Sequence, residues 1–186
     1  MTILALEFSS PQRGVAVLSP GGVVEAVEAG GRSTAAFGMI EKVLAEAIIE
    51  REAIDMIAVG LGPGSYTGIR AAISVAQGWQ LARETKLLGI SSAEAIAAQA
   101  QAEKIFGRVN VMVDAQRGEF YLAAFEISDA SCKNVEQLRI SSLACMASAS
   151  PSLISWEACS SWATLGRLPA SERFMESAVR SWAVLS

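Results

Sequence analysis

Apolar residues fill positions 3 to 8 except for Glu7, and a second β-branched run, Gly14 to Leu18, follows the break at Ser9-Ser10-Pro11. Ser19-Pro20-Gly21-Gly22 supplies turn chemistry, and Val23 to Val27 then alternate as a third strand, so the opening of the chain predicts an antiparallel meander. From Ala35 to Arg51, with Ser33 or Thr34 as cap, Phe37, Ile40, Leu44, Ala47 and Ile48 recur at helical spacing. Glu41, Lys42, Glu46 and Glu50 lie towards the other side, and Met39 and Val43 widen the apolar sector beyond one core stripe. Ile54 to Leu61 reads as a strand, Gly62 to Gly68 as a loop and Ile69 to Arg83 as an Ala- and Gly-rich helix. A short strand at Leu87 to Ile90 and a third helix at Ser92 to Ala102 complete the half.

The pattern then restarts. Val109 to Val113 is a buried strand, Asp114-Ala115-Gln116-Arg117-Gly118 turns the chain, Glu119 to Ile127 returns, and a third strand is expected near Val135 to Leu143. In the last 59 residues 14 of the 22 serines and all three cysteines crowd together, Trp156, Trp162 and Trp182 are candidate anchors of a small core, and Ala170 to Leu185 reads as a terminal helix. The order β-β-β-α-β-α-β-α, a meander followed by right-handed crossovers, is that of the ribonuclease H-like half of the actin, sugar-kinase and heat-shock ATPase architecture. The expectation is an α/β, actin-like (ribonuclease H-like) two-lobed fold with a mixed sheet per lobe. Its first lobe spans residues 1–104, and a shortened second lobe spans 105–186.

Composition narrows the chemistry. The chain has 186 residues, 52% hydrophobic and 18% charged, which is a folding composition. Its net charge is -4, and no two basic residues are adjacent, which disfavours an independent grip on nucleic acid. It contains no histidine, which removes the usual general base, the triad imidazole and the commonest zinc ligand. Cys132, Cys145 and Cys159 form no C-x-x-C pair, and the start lacks a basic segment before an apolar core, so a reducing compartment is expected. The longest uncharged stretch, Ile140 to Trp156, is interrupted by Pro151 and falls short of the roughly 20 apolar residues of a spanning helix. A soluble cytoplasmic protein is the expectation.

The most distinctive segment is Gly60-Leu61-Gly62-Pro63-Gly64-Ser65-Tyr66-Thr67-Gly68-Ile69-Arg70. A glycine-rich turn entering a helix has the capacity to present N–H groups to an anion. It is nevertheless no Walker A loop, because Ile69 follows Gly68 where lysine is required, and no dinucleotide fingerprint, because Thr67 stands where the third glycine belongs. The reading favoured by spacing alone is that Gly62, Gly64 and Gly68 permit positive φ and close strand-to-helix packing, with Ser65 or Thr67 as helix cap.

Together, G-P-G-S-Y-T-G-I-R at 62 to 70, I-L-A-L-E-F-S-S at 3 to 10 and D-A-Q-R-G-E-F-Y at 114 to 121 resemble the TsaB (YeaZ-like) family of bacterial tRNA threonylcarbamoyladenosine synthesis. The likeness runs from residue 1 to about 127, and Leu168-Pro169-Ala170-Ser171 is similar to a remnant of the family's end. It implies an actin-like fold without catalysis of its own, with no catalytic, cofactor-binding or metal-binding residue. The implied partners are a catalytic TsaD-like subunit and a TsaE-like ATPase, with tRNA reached only through the complex, no membrane, and a homodimer when the chain is alone.

The implied family motif loop is Gly62, Pro63, Gly64, Ser65, Tyr66, Thr67, Gly68 and Arg70. The implied contact is a four-helix bundle through helices 35 to 51 and 69 to 84, with Met39, Ile40, Val43, Glu46, Ile73, Gln77, Trp79 and Gln80 at the interface. The catalytic relative's metal-binding histidines have no counterpart at Gly89 to Glu94. Ser33-Thr34 replaces the family's His-Thr pair, and no Pro-x-Tyr-Leu-Arg tail follows the last helix. The rival expectation is a small-molecule kinase or ATPase of the same architecture with a degenerate nucleotide site, working through Glu7, Asp114 and the loop 62 to 68. A protease lacks a base for Ser65 or for a cysteine nucleophile.

Overall fold

The computed structural model describes residues 1–29, 36–142 and 153–155. Two compact units divide it, Met1–Ser91 and Ser92–Ser186. The first contains β1 (Ile3–Glu7), β2 (Gln12–Ser19), β3 (Gly22–Ala29), α1 (Ala36–Ala47), β4 (Met56–Gly60), α2 (Tyr66–Arg83) and β5 (Lys86–Ile90), with one 3-10 turn at Arg51–Ala53 before β4. The sheet order is β3-β2-β1-β4-β5. The meander strands pair antiparallel, while β1, β4 and β5 run parallel, as two α-helical crossovers require.

Register explains the core. Leu4 lies beside Val17 and Ile57, and Leu6 beside Val15 and Val59, so these residues share one sheet face. Onto that face pack Met39, Ile40, Val43 and Leu44 of α1 and Ala72 and Ala76 of α2, in one continuous cluster with Phe8. The α1 sector therefore runs through Ala36, Met39, Ile40, Val43, Leu44 and Ala47. Phe37 and Ile48, expected in the inward stripe, are 61% and 92% exposed. Hydropathy alone cannot place an apolar residue that stands at the border of a helix's buried arc. A surface ion pair from Arg83 to Glu52 (2.7 Å) ties the end of α2 to the 3-10 turn.

The second unit holds α3 (Ser92–Ala102), β6 (Gly107–Gln116), β7 (Glu119–Ile127), β8 (Cys132–Ser142) and β9 (Leu153–Ser155), with sheet order β8-β7-β6-β9. Ala93, Ile96, Ala97 and Ala100 of α3 pack on Val109, Val111, Val113, Ala123, Phe125 and Ile127. That shared core puts α3 with the second sheet, and the division between units falls after Ser91 where the apolar pattern placed it after residue 104. β9 pairs parallel with β6, a strand that the sequence pattern did not single out. The expectations for Ser33 and Thr34, for Cys145 and Cys159, for the three late tryptophans and for the terminal helix lie outside the described residues. Among the described residues no helix is long and apolar enough to cross a membrane.

Candidate functional site

The passage from β4 into α2 folds back onto the end of β1. Ser65 N–H donates to the Ser9 carbonyl at 2.6 Å, and Ser65 Oγ accepts from Gly68 N–H at 3.3 Å as the cap of α2. A Cβ on Gly64 would fall on the Ser9 carbonyl, and one on Gly68 on the Phe8 carbonyl, both inside van der Waals contact with backbone that cannot yield. Gly62 adopts φ +81° and would bring a Cβ to 2.5 Å from Ile69 Cδ1. The glycines are thus sites of close approach, as spacing suggested. The Ser65 and Gly68 N–H groups are spent on Ser9 and Ser65 instead of facing an anion.

Glu7 closes the other side of this clasp. It is 6% exposed, and its Oε1 accepts the Ser9 N–H at 2.6 Å. A Cβ on Gly60 would fall on the Glu7 carboxylate, which would have to move aside. Burial pushes the Glu7 carboxyl above its ordinary 4.5, against the smaller downward pull of its hydrogen bonds to Ser9. A desolvated carboxyl tied to its own strand end does not fit a group that organises magnesium, which needs ionised, accessible oxygen. Asp114 stands in the second unit, at a β-bulge in β6, and Arg117 and Gly118 form the two-residue turn of a plain hairpin with φ +58° and +78°. Among the described residues no group of three or more cysteine, aspartate or glutamate side chains is placed to hold a metal.

Gly64, Ser65, Tyr66, Thr67 and Arg70 are the exposed residues of the motif. Arg70 stacks 5.3 Å from the centroid of the Tyr66 ring and donates to its hydroxyl at 3.3 Å. Tyr66 itself is 72% exposed.

The residues expected at a partner interface separate into two groups. Met39, Ile40 and Val43 are sealed in the chain's own core, which corrects their assignment as contact residues: their sector of α1 is the one the sheet covers. Ile73 and Trp79 are half-buried against the same cluster, while Glu46, Gln77 and Gln80 are exposed. Large apolar side chains are turned outward at Phe37 of α1, at Ile48 just past its end, and at Tyr66 and Leu81 of α2, the last 88% exposed.

A five-stranded mixed sheet with both crossover helices on one face, followed by a second meander, defines the actin-like, ribonuclease H-like class. The family model described as TsaD, tRNA N6-adenosine threonylcarbamoyltransferase, matches residues 7–159. The TsaB threonylcarbamoyladenosine biosynthesis protein of Escherichia coli is 31% identical over 128 residues, covering 68% of this chain and 55% of the relative. The Bacillus subtilis TsaB protein is 26% identical over 138 residues, covering 73% and 59%. The solved YeaZ from Pseudomonas aeruginosa superposes with a TM-score of 0.76 at 25% identity, covering 98% of this chain and 92% of that one. The chain belongs to the family of that model, and within it to the TsaB (YeaZ-like) proteins of tRNA threonylcarbamoyladenosine biosynthesis. It spans little more than half the length of the curated relatives it matches.

Proposed function

We propose that the chain is a noncatalytic subunit that binds and supports a TsaD-like transferase in N6-threonylcarbamoyl modification of tRNA adenosine 37, with a TsaE-like ATPase in the same assembly. The observation that carries this reading is the apolar surface left on the helices. Ser65 and Gly68 N–H are engaged by Ser9 and Ser65, while α1 and α2 cover the sheet with their inner stripes and Phe37, Ile48 just past α1, and Leu81 stay exposed. The names of the relatives supply the pathway. Glu46, Ile73, Gln77, Trp79 and Gln80 belong to the proposed contact, and Met39, Ile40 and Val43 hold the helices from behind. The assembly works in the cytoplasm, tRNA is met only through it, and the free chain pairs with itself over the same surface.

The test is co-purification with the TsaD-like subunit of the same organism, using the wild type and Leu81→Glu. Leu81 is almost fully exposed, so the variant is expected to melt within about 1 °C of wild type while losing most of the complex. No complex with the wild type would overturn the reading. Tight Mg-ATP binding by the free chain, read by calorimetry, would replace it with the kinase or ATPase alternative.

A further inference from the structure

The Ser9 peptide is held from both sides. Its N–H donates to Glu7 Oε1 at 2.6 Å, and its carbonyl accepts the Ser65 N–H at 2.6 Å. Ser65 Oγ in turn accepts from Gly68 N–H as the cap of α2. One line of hydrogen bonds therefore runs from the carboxyl at the end of β1 to the first turn of a helix distant in sequence. Ser9 and Ser10 are buried, while Pro11, Gln12, Leu61 and Gly64 are exposed, so this line stands at the rim of the unit.

Glu7 enters the line as a buried carboxyl without a countercharge. Its neighbour on β2 is Gly14, and its carboxylate lies over Gly60 of β4. Neither β4 nor residues 61–65 carry an ionisable side chain. Arg13 of β2 stacks 5.6 Å from the Phe8 ring centroid, and Arg70 of α2 stacks on Tyr66. Glu25 and Glu28 stand on β3, with β2 between them and β1, and Lys86 lies beside Met56, at the opposite end of β4 from Gly60. Glu41, Lys42 and Glu46 of α1 are exposed. No ion pair reaches Glu7 among the described residues. A carboxyl so placed is held most cheaply as the neutral acid, and its ionised form gains more from water than from one peptide N–H.

We propose that Glu7 is a proton-operated latch on the entrance to α2. Protonated, it lies over Gly60 and holds Ser9, and through Ser9 and Ser65 the first turn of the helix. Ionised, it gives its proton to water, swings out, releases the Ser9 N–H and loosens that turn with the exposed Tyr66 and Arg70 on it. Burial raises the carboxyl above its ordinary 4.5, so the closed latch is fully favoured below pH 4.5 and is lost as pH rises through the higher folded value. Between the two, each pH unit multiplies the open population about tenfold. The latch belongs to the unit's own fold and does not depend on what the chain binds.

The experiment is amide hydrogen exchange, read residue by residue by NMR from pH 5 to 8 in the full chain, with wild type, Glu7→Gln and Gly60→Ala. Rates are divided into those of the unfolded chain, which removes the ordinary catalysis by base. In wild type the protection of Ser65 and Gly68 N–H is expected to fall by up to about tenfold per pH unit, at lower pH than that of core amides such as Val15 and Ile57. In Glu7→Gln it is expected to stay level. Gly60→Ala, whose Cβ displaces the carboxyl at every pH, is expected to leave the same two amides poorly protected already at pH 5. The latch is wrong if wild type and Glu7→Gln share one pH dependence, or if Gly60→Ala protects these amides at pH 5 as wild type does. It is also wrong if Ser65 and Gly68 exchange only together with the core, since Glu7 then acts on global stability alone. Should Glu7→Gln fail to fold, the wild-type comparison of these amides with the core decides by itself.

Discussion

The connections that follow β1 and β6 open two meanders of the same pattern, yet they are held in opposite ways. After β6 the chain turns through Arg117 and Gly118, two residues of left-handed backbone, and a Cβ added to Gly118 would meet nothing within 4 Å. After β1 the chain is held from outside: the α2 entrance presses Gly64 and Gly68 onto the Ser9 and Phe8 carbonyls, and Ser65 N–H fixes the same strand end. Against the end of β1 a glycine is needed for what is missing from it, a Cβ; after β6, for the dihedral it adopts. A glycine-rich loop before a helix is therefore no sign of a phosphate until its N–H groups are accounted for one by one.

Substituting the two glycines sharpens this contrast most. Gly68→Ala puts a methyl into backbone that cannot move and is expected to cost about 3 kcal/mol or more in urea unfolding, whereas Gly118→Ala costs about 1 kcal/mol. Equal losses would break the comparison. Ser65→Ala removes the cap of α2 and should cost about 1 kcal/mol, with faster hydrogen exchange confined to the first turn of that helix.

The subtlest effect is one of pH. Because burial raises the Glu7 carboxyl above its ordinary 4.5, the neutral form is favoured in the fold. The stability this contributes is fully present below pH 4.5 and is lost as pH rises through the higher folded value. Glu7→Gln keeps an acceptor for Ser9 N–H and should gain on wild type as pH climbs from 4.5 to 7 in parallel melts. A constant difference across that range would mean that Glu7 titrates as it does in the unfolded chain.

Much of the first unit was legible because its signals are local. Alternation in Val23 to Val27, the Ser19–Gly22 turn and the break that opens at Gly62 each specify a strand, a turn or a loop within a few residues, although α2 begins at Tyr66, three residues before the expected Ile69. The clasp was legible as a possibility, since spacing alone named close packing and a Ser65 cap. The side of α1 was not. Met39 and Val43 face the sheet and Phe37 and Ile48 leave it because the sheet, not hydropathy, sets where the buried arc is centred. Nor was α3 legible as part of the second unit. Its alanines fit many surfaces, and only Val109, Val111 and Phe125, distant in sequence, decide which one they meet. The raised Glu7 carboxyl likewise depends on burial, which no local signal around Glu7 announces.

The left-handed ending of α1, where Ile48 takes φ +56°, bears on how such a protein responds to selection. A screen that rewards heat resistance in the free chain would accept glycine at position 48 early, since the backbone relaxes and nothing inside the unit is lost. The survivors would be sturdier for a change that leaves every buried contact of the unit as it was.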